Sequence, residues 1–136
     1  MAVMIPPIYN TSRPVGQNEA NQADDVRLIQ TLLTEYAQLV PSWAPPTPLA
    51  VTGSFSNDLR VWILAFQTEM RRVGAPMELD GKIHPMLMDN KFDYRSKFRS
   101  GVGSTLFALN ENFRHKARAR HQALGLALGL SEPTLG

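Results

Sequence analysis

Three histidines, twelve carboxylates and no cysteine bound the chemistry open to this chain of 136 residues. Asp80 and His84 stand four positions apart, and a carboxylate beside an imidazole can orient a general base. Glu78 and Asp80 form a second pairing, of two carboxylates. Both pairings have a plainer explanation, because Asp80 precedes Gly81 and a turn aspartate bonds nearby backbone amides. His115 and His121 are six residues apart, on opposite sides of a helix, so they cannot chelate as a pair. The absence of cysteine removes thiol nucleophiles, thiolate metal sites and disulfides. No nucleophile elbow, phosphate loop or zinc-protease helix occurs. The expectation is a protein that is not an enzyme and carries neither cofactor nor metal.

The elements that would position these residues centre on Thr52 to Gln67. The turn Thr52-Gly53 is followed by Ser56, a helix N-cap whose hydroxyl accepts from first-turn amides. Leu59, Trp62, Ile63, Phe66 and Met70 then recur at helical steps as one buried face. Gly74 and Pro76 stop that helix. Upstream, Asn21 as cap and Asp24 in the first turn open a helix whose face is Val26, Ile29, Leu33, Tyr36, Ala37 and Val40. Leu28, Leu32 and Leu39 widen its apolar arc, which predicts deep burial.

Between the helices, PSWAPPTP holds four prolines in eight residues and must be a loop. Its Trp43 either folds back over the core or stands exposed for stacking on a sugar ring or a partner; the first is favoured. Leu79-Asp80-Gly81-Lys82-Ile83 repeats the chemistry of Thr52-Gly53-Ser54-Phe55, with an apolar plug two places after each glycine. His84 as cap and Pro85 as first residue predict a short third helix through Met86, Leu87 and Met88. Lys91 to Gly103 mixes Phe92, Tyr94 and Phe98 with cations, a pattern compatible with single-stranded nucleic acid, although self-packing is the commoner outcome. From Ser104, Leu106, Leu109, Phe113 and Ala117 predict an amphipathic helix with Arg114, Lys116, Arg118 and Arg120 outside. The leucines at 124, 126, 128 and 130 fit an extended segment as well as a helix.

Three ordered motifs resemble the peptidoglycan-binding-like domain family, whose central pattern is DG-x-FG-x-x-T-x-x-AV-x-x-FQ. Gly53, Phe55, Phe66 and Gln67 match it without a gap; Thr52, Ser56 and Leu59 depart from it, and Trp62-Ile63 replace Ala-Val. Val26, Ile29, Gln30 and Leu33 are similar to the family's V-x-x-LQ-x-x-L, and Asp80-Gly81-Lys82-Ile83-His84-Pro85 to its second turn. The resemblance implies an all-α, three-helix module at 21–90 that attaches a protein to peptidoglycan. An N-terminal arm (1–20) would precede it, and a basic extension (91–136) with an added C-terminal helix would follow. Around the motifs, Trp43, Asn57, Arg60, Asp80 and His84 would line a shallow groove. The lead-in PVGQNEANQADDVRLIQTLL also looks like versions of the module found with toxins exported by contractile (type VI) secretion systems.

Hydrophobic residues at 43% against charged residues at 19% point to a folded chain without a membrane span. The first sixteen residues lack a basic n-region and a continuous apolar h-region, so no signal peptide is expected. That predicts synthesis in the cytoplasm, with contractile secretion as the route to a periplasmic ligand. Residues 1–90 carry six basic and nine acidic side chains, and residues 91–121 eight and two. Such a split marks a solvated face or a contact for an acidic partner, with Arg114 and Arg118 as candidates. Nucleic acid is the less favoured partner. The rival to peptidoglycan is an adaptor role in a secretion apparatus, with the same fold gripping another protein or a second copy. On the far side of the central helix, Val61, Leu64 and Ala65 need a cover. The stripe Leu106, Leu109, Phe113 would supply it from within the chain; otherwise Val61 and Leu64 contact a partner.

Overall fold

A computed structural model of the protein describes residues 9–75, 77–86 and 104–127. Helix α1 spans Ala23–Leu39, a 3-10 turn Pro41–Trp43, α2 Asn57–Arg72, α3 Thr105–Lys116 and α4 Arg118–Ala127. Among the described residues no strand forms, and Val15 and Ile83 make one isolated antiparallel bridge. The fold is a small all-α bundle. The expectations for Leu87, Met88, the 91–103 segment and Leu128 and Leu130 lie outside the described residues.

Helix α2 begins and ends as its residue types dictate. Ser56 is extended and its hydroxyl accepts from the Leu59 amide at 3.4 Å. Past the last turn Gly74 takes φ +96°, and the Ala75 amide returns to the Met70 carbonyl at 2.9 Å. Helix α1 departs from expectation at its start. Gln22 is the N-cap and makes no side-chain cap bond, while Asn21 lies at φ 49°. The Asn21 carboxamide instead turns back to Gly16, accepting from its amide and donating to its carbonyl, both at 2.8 Å. Asn21 closes the preceding loop and does not cap the helix.

The third helix expected from Pro85 does not begin there, since His84, Pro85 and Met86 are irregular. The tether to the N-terminal arm described below holds these residues out of a helical turn. The C-terminal region instead supplies two helices. Ser104 caps α3 by accepting from the Phe107 amide at 3.2 Å. The chain breaks at Ala117, whose non-helical backbone lets α4 fold back so that His121 and Leu124 rejoin the core.

Leu106, Leu109 and Phe113 are fully buried, and α3 packs on α1. They therefore do not cover the outer face of α2, contrary to expectation. Leu64 is half-buried against the second glycine turn, and Val61 remains 39% exposed. One core runs from Tyr9 and Val15 through α1 and α2 to Phe113 and Leu124. The arm and the C-terminal extension thus share the core of the central module. Trp43 adopts the favoured, inward arrangement: it stacks on Tyr36 at 5.8 Å and meets Trp62 and Phe66 edge-on. The Trp62 indole N–H donates to the Thr47 carbonyl at 2.8 Å and so ties the proline loop to α2.

Tyr9 joins the two ends of the described chain. Its amide donates to Asn110 Oδ1 and its carbonyl accepts from Asn110 Nδ2, at 3.0 and 2.9 Å. Its hydroxyl donates to the His121 carbonyl at 2.6 Å and accepts from the Gly125 amide at 2.9 Å. The fully buried His121 ring packs on Tyr9 and Phe113, with Nε2 2.9 Å from Asn110 Oδ1. Because that oxygen accepts, Nε2 carries the proton, and Nδ1 has no partner in the structure. Burial, reinforced by the Arg114 charge and opposed by Glu111, lowers the His121 pKa to about 4.

Two outcomes follow. Leu106, Leu109 and Phe113 each contribute about 1.5–3 kcal/mol on burial, comparable in sum to a typical domain stability. Truncation after Gly103 should therefore abolish cooperative thermal unfolding, as read by circular dichroism. The second outcome concerns acid. An unfolded chain protonates His121 near its ordinary 6.5, whereas the folded chain resists to about 4. Stability is then full above about pH 6.5 and falls as pH drops toward 4, by about 3 kcal/mol. Melting curves across that range should show the loss, and His121→Gln should flatten it.

Candidate functional site

Two glycine turns are each held by a buried glutamine of a helix. Gln30 of α1 accepts from the amides of Thr52 and Gly53 at 2.8 and 2.9 Å and donates to the Ser54 carbonyl at 3.3 Å. Gln67 of α2 accepts from the Gly81 amide at 3.0 Å and donates to the Lys82 carbonyl at 3.1 Å. Each carboxamide binds the glycine amide and the carbonyl of the next residue. Gly53 and Gly81 adopt φ +79° and +66°, which a side chain would strain. The apolar plugs differ in depth: Ile83 is fully buried and Phe55 only half-buried. Phe66 lies in the core one residue before Gln67.

The residue before each glycine distinguishes the turns. Thr52 Oγ1 accepts from the Ser54 amide at 3.1 Å, and Asp80 Oδ1 accepts from the Lys82 amide at 3.0 Å. Threonine thus performs the turn-closing task of the aspartate. Asp80, however, has a second oxygen, and Oδ2 lies 3.1 Å from His84 Nε2. Gln67 Nε2 also reaches Asp80 Oδ1 at 2.9 Å and Thr105 Oγ1 of α3 at 3.0 Å. Burial works against ionisation of Asp80, but the bonds from Gln67, the Lys82 amide and His84, with the His84 charge, outweigh it. Its carboxyl is held below the usual range.

With both oxygens engaged, Asp80 acts as a fixed anion that orients His84. In neutral His84 the carboxylate holds the proton on Nε2, which leaves Nδ1 as an acceptor. The two side chains are 23% and 39% exposed, so the pair is open to a ligand at the surface. The outer face of α2 borders it, because Arg60 and Leu64 side chains lie against Gly81.

The predicted site residues are therefore only partly brought together. Asp80, His84 and Arg60 cluster at the second turn. Asn57 is exposed at the first turn of α2, at its Ser56-capped end. Trp43, 7% exposed in an aromatic cluster, cannot offer its ring face to a sugar. Of the candidate partner contacts, Val61 and Arg118 are exposed, Leu64 is half-buried and Arg114 bonds Glu111 at 2.7 Å. Sequence reasoning missed Thr105 and the arm residues Asn10 and Val15, which meet the turn only through the fold. Among the described residues, no group of three or more histidines and carboxylates is placed to hold a metal ion. Compared with models of protein families, with curated proteins and with solved structures, the chain matches none of them.

The staples predict matched losses. A β-carbon at Gly81 would lie 3.2–3.3 Å from Arg60 and Leu64, and one at Gly53 3.2 Å from the Arg27 guanidinium. With about 1–2 kcal/mol of left-handed strain added, Gly53→Val and Gly81→Val should each lower the melting temperature by several degrees. Gln67→Ala leaves the buried Gly81 amide without its acceptor and should cost about 1–3 kcal/mol in urea unfolding.

Proposed function

We propose that the chain is a non-catalytic binding module that recognises peptidoglycan at its second glycine turn. One observation carries the reading. Of two turns stapled alike, only the second has a spare carboxylate oxygen, and that oxygen holds His84 at the surface. The resemblance to peptidoglycan-binding-like domains supports it, since Gln30, Gly53, Gln67 and Gly81, which carry that resemblance, also make the staples. The chemistry suits the polymer. An imidazole acceptor can take an acetamido or peptide N–H, and the neighbouring Arg60 can take a stem-peptide carboxylate. With Trp43 buried, recognition is polar and does not use ring stacking there.

A second reading, an adaptor that grips another protein, is favoured by Val61, a large aliphatic left 39% exposed one residue from Arg60. Delivery to the periplasm by a contractile secretion system belongs with the first reading. No helix among the described residues is long and apolar enough to cross a membrane.

Sedimentation with purified, insoluble peptidoglycan tests the proposal. The unmodified protein should pellet with the polymer. His84→Ala and Arg60→Ala should each weaken binding about tenfold, the equivalent of one hydrogen bond, with the melting temperature retained. Val61→Ser should leave it unchanged. A protein that stays in the supernatant, yet captures a protein from lysate through Val61, would establish the adaptor reading instead.

A further inference from the structure

The segment that carries His84 is fixed at two points, and the N-terminal arm supplies both. Val15 and Ile83 exchange backbone hydrogen bonds at 2.9 and 2.8 Å. Three residues on, the Asn10 carboxamide accepts from the Met86 amide at 2.9 Å and donates to the Met86 carbonyl at 3.0 Å. Only His84 and Pro85 lie between. Proline fixes its own φ and restricts the residue before it to extended backbone. A span so restricted has its path set by its two ends.

The arm is itself firmly seated. Tyr9 is clasped by Asn110 and by the α4 backbone, as described above. Asp25 of α1 accepts from the Ser12 amide and hydroxyl and from the Arg13 amide, at 2.9–3.0 Å. Lys82, inside the turn, reaches Glu19 at 2.9 Å. These anchors do not involve Asn10. Removing its side chain therefore loosens one end of the 83–86 segment and leaves the arm in place.

We propose that Asn10 is a positioning residue of the Asp80–His84 site: by pinning Met86 while Val15 pins Ile83, it delivers the imidazole to the carboxylate. The arm is then a working part of the site and does more than pack against the bundle. This rests on the reading of Asp80–His84 as the place where ligand binds.

The test uses the full chain with Asn10→Ala and Asn10→Asp, the latter keeping the acceptor for the Met86 amide. By NMR, Asn10→Ala should speed hydrogen exchange at Met86 and leave Ile83 protected. The Asp80 carboxyl should titrate higher, closer to an ordinary aspartate, as its His84 donor drifts away. Sedimentation with peptidoglycan should weaken by up to the roughly tenfold expected for His84→Ala, since a mispositioned imidazole loses at most its own contact. Asn10→Asp should show smaller changes in each readout. An Asp80 titration that stays put while the Met86 amide is freed overturns the proposal. So does an Asp80 shift with unchanged binding. If the unmodified protein does not bind peptidoglycan, the wall-binding reading falls, and the Asp80 titration still decides whether Asn10 positions His84.

Discussion

In a helical bundle the irregular segments have no strand partner, yet their buried amides and carbonyls must be satisfied. Here side-chain carboxamides take that part. Asn10, Asn21 and Asn110 each bind both the N–H and the C=O of a single residue, respectively Met86, Gly16 and Tyr9. Gln30 and Gln67 do the same across Gly53–Ser54 and Gly81–Lys82. A carboxamide alone among neutral side chains offers a donor and an acceptor in the geometry of a peptide. Glutamate or aspartate at these places would supply no donor and would bring a charge into the core. The connection between helices is thereby bonded to the helices, and their relative placement is fixed by hydrogen bonds as well as by apolar packing.

The candidate site is an outgrowth of this device. Gln67 is fully buried, and its amide nitrogen joins Asp80 and Lys82 of the second turn to Thr105 of α3. One Asp80 oxygen completes the turn and the other is left to face His84. In the first turn threonine has a single oxygen, already used, so nothing remains to orient a surface group. The asymmetry between two similar turns thus comes down to one side-chain oxygen. The same bonds that hold Asp80 ionised make it a weak proton acceptor, so its part is to orient His84.

Local signals made much of the bundle legible. Ser56, the spacing of Leu59, Trp62, Ile63, Phe66 and Met70, and Gly74 define α2 from start to stop, because capping and helical periodicity act within a few residues. Gln30, Gln67, Gly53 and Gly81 were legible through the resemblance, although what the glutamines hold was not. The errors share a cause. Asn21 has the chemistry of a cap, but Gly16 competes for its carboxamide. Pro85 has the chemistry of a first helical residue, but Asn10 claims the Met86 carbonyl that a helix would bond. The Tyr9–Asn110 pairing spans 101 residues, and no periodicity reports it. Apolar spacing showed that Leu106, Leu109 and Phe113 are buried but not against which helix.

Those long-range pairings also tie the arm and the C-terminal helices to the central turns. Asn110 sits between Tyr9 and His121, and one oxygen accepts from both the Tyr9 amide and the imidazole. An acceptor shared by two donors fixes the histidine tautomer and leaves Nδ1 facing an interior with no partner. Protonating that nitrogen would place a charge in a buried ring cluster beside Arg114. Protonation of His121 thus weakens the clasp, and whatever loosens Tyr9 loosens the arm that continues into Asn10. Along that path, α3 and α4 are connected to Met86 and hence to His84. The C-terminal helices therefore do more than add apolar area to the bundle: they anchor the arm on which the geometry of the second turn depends.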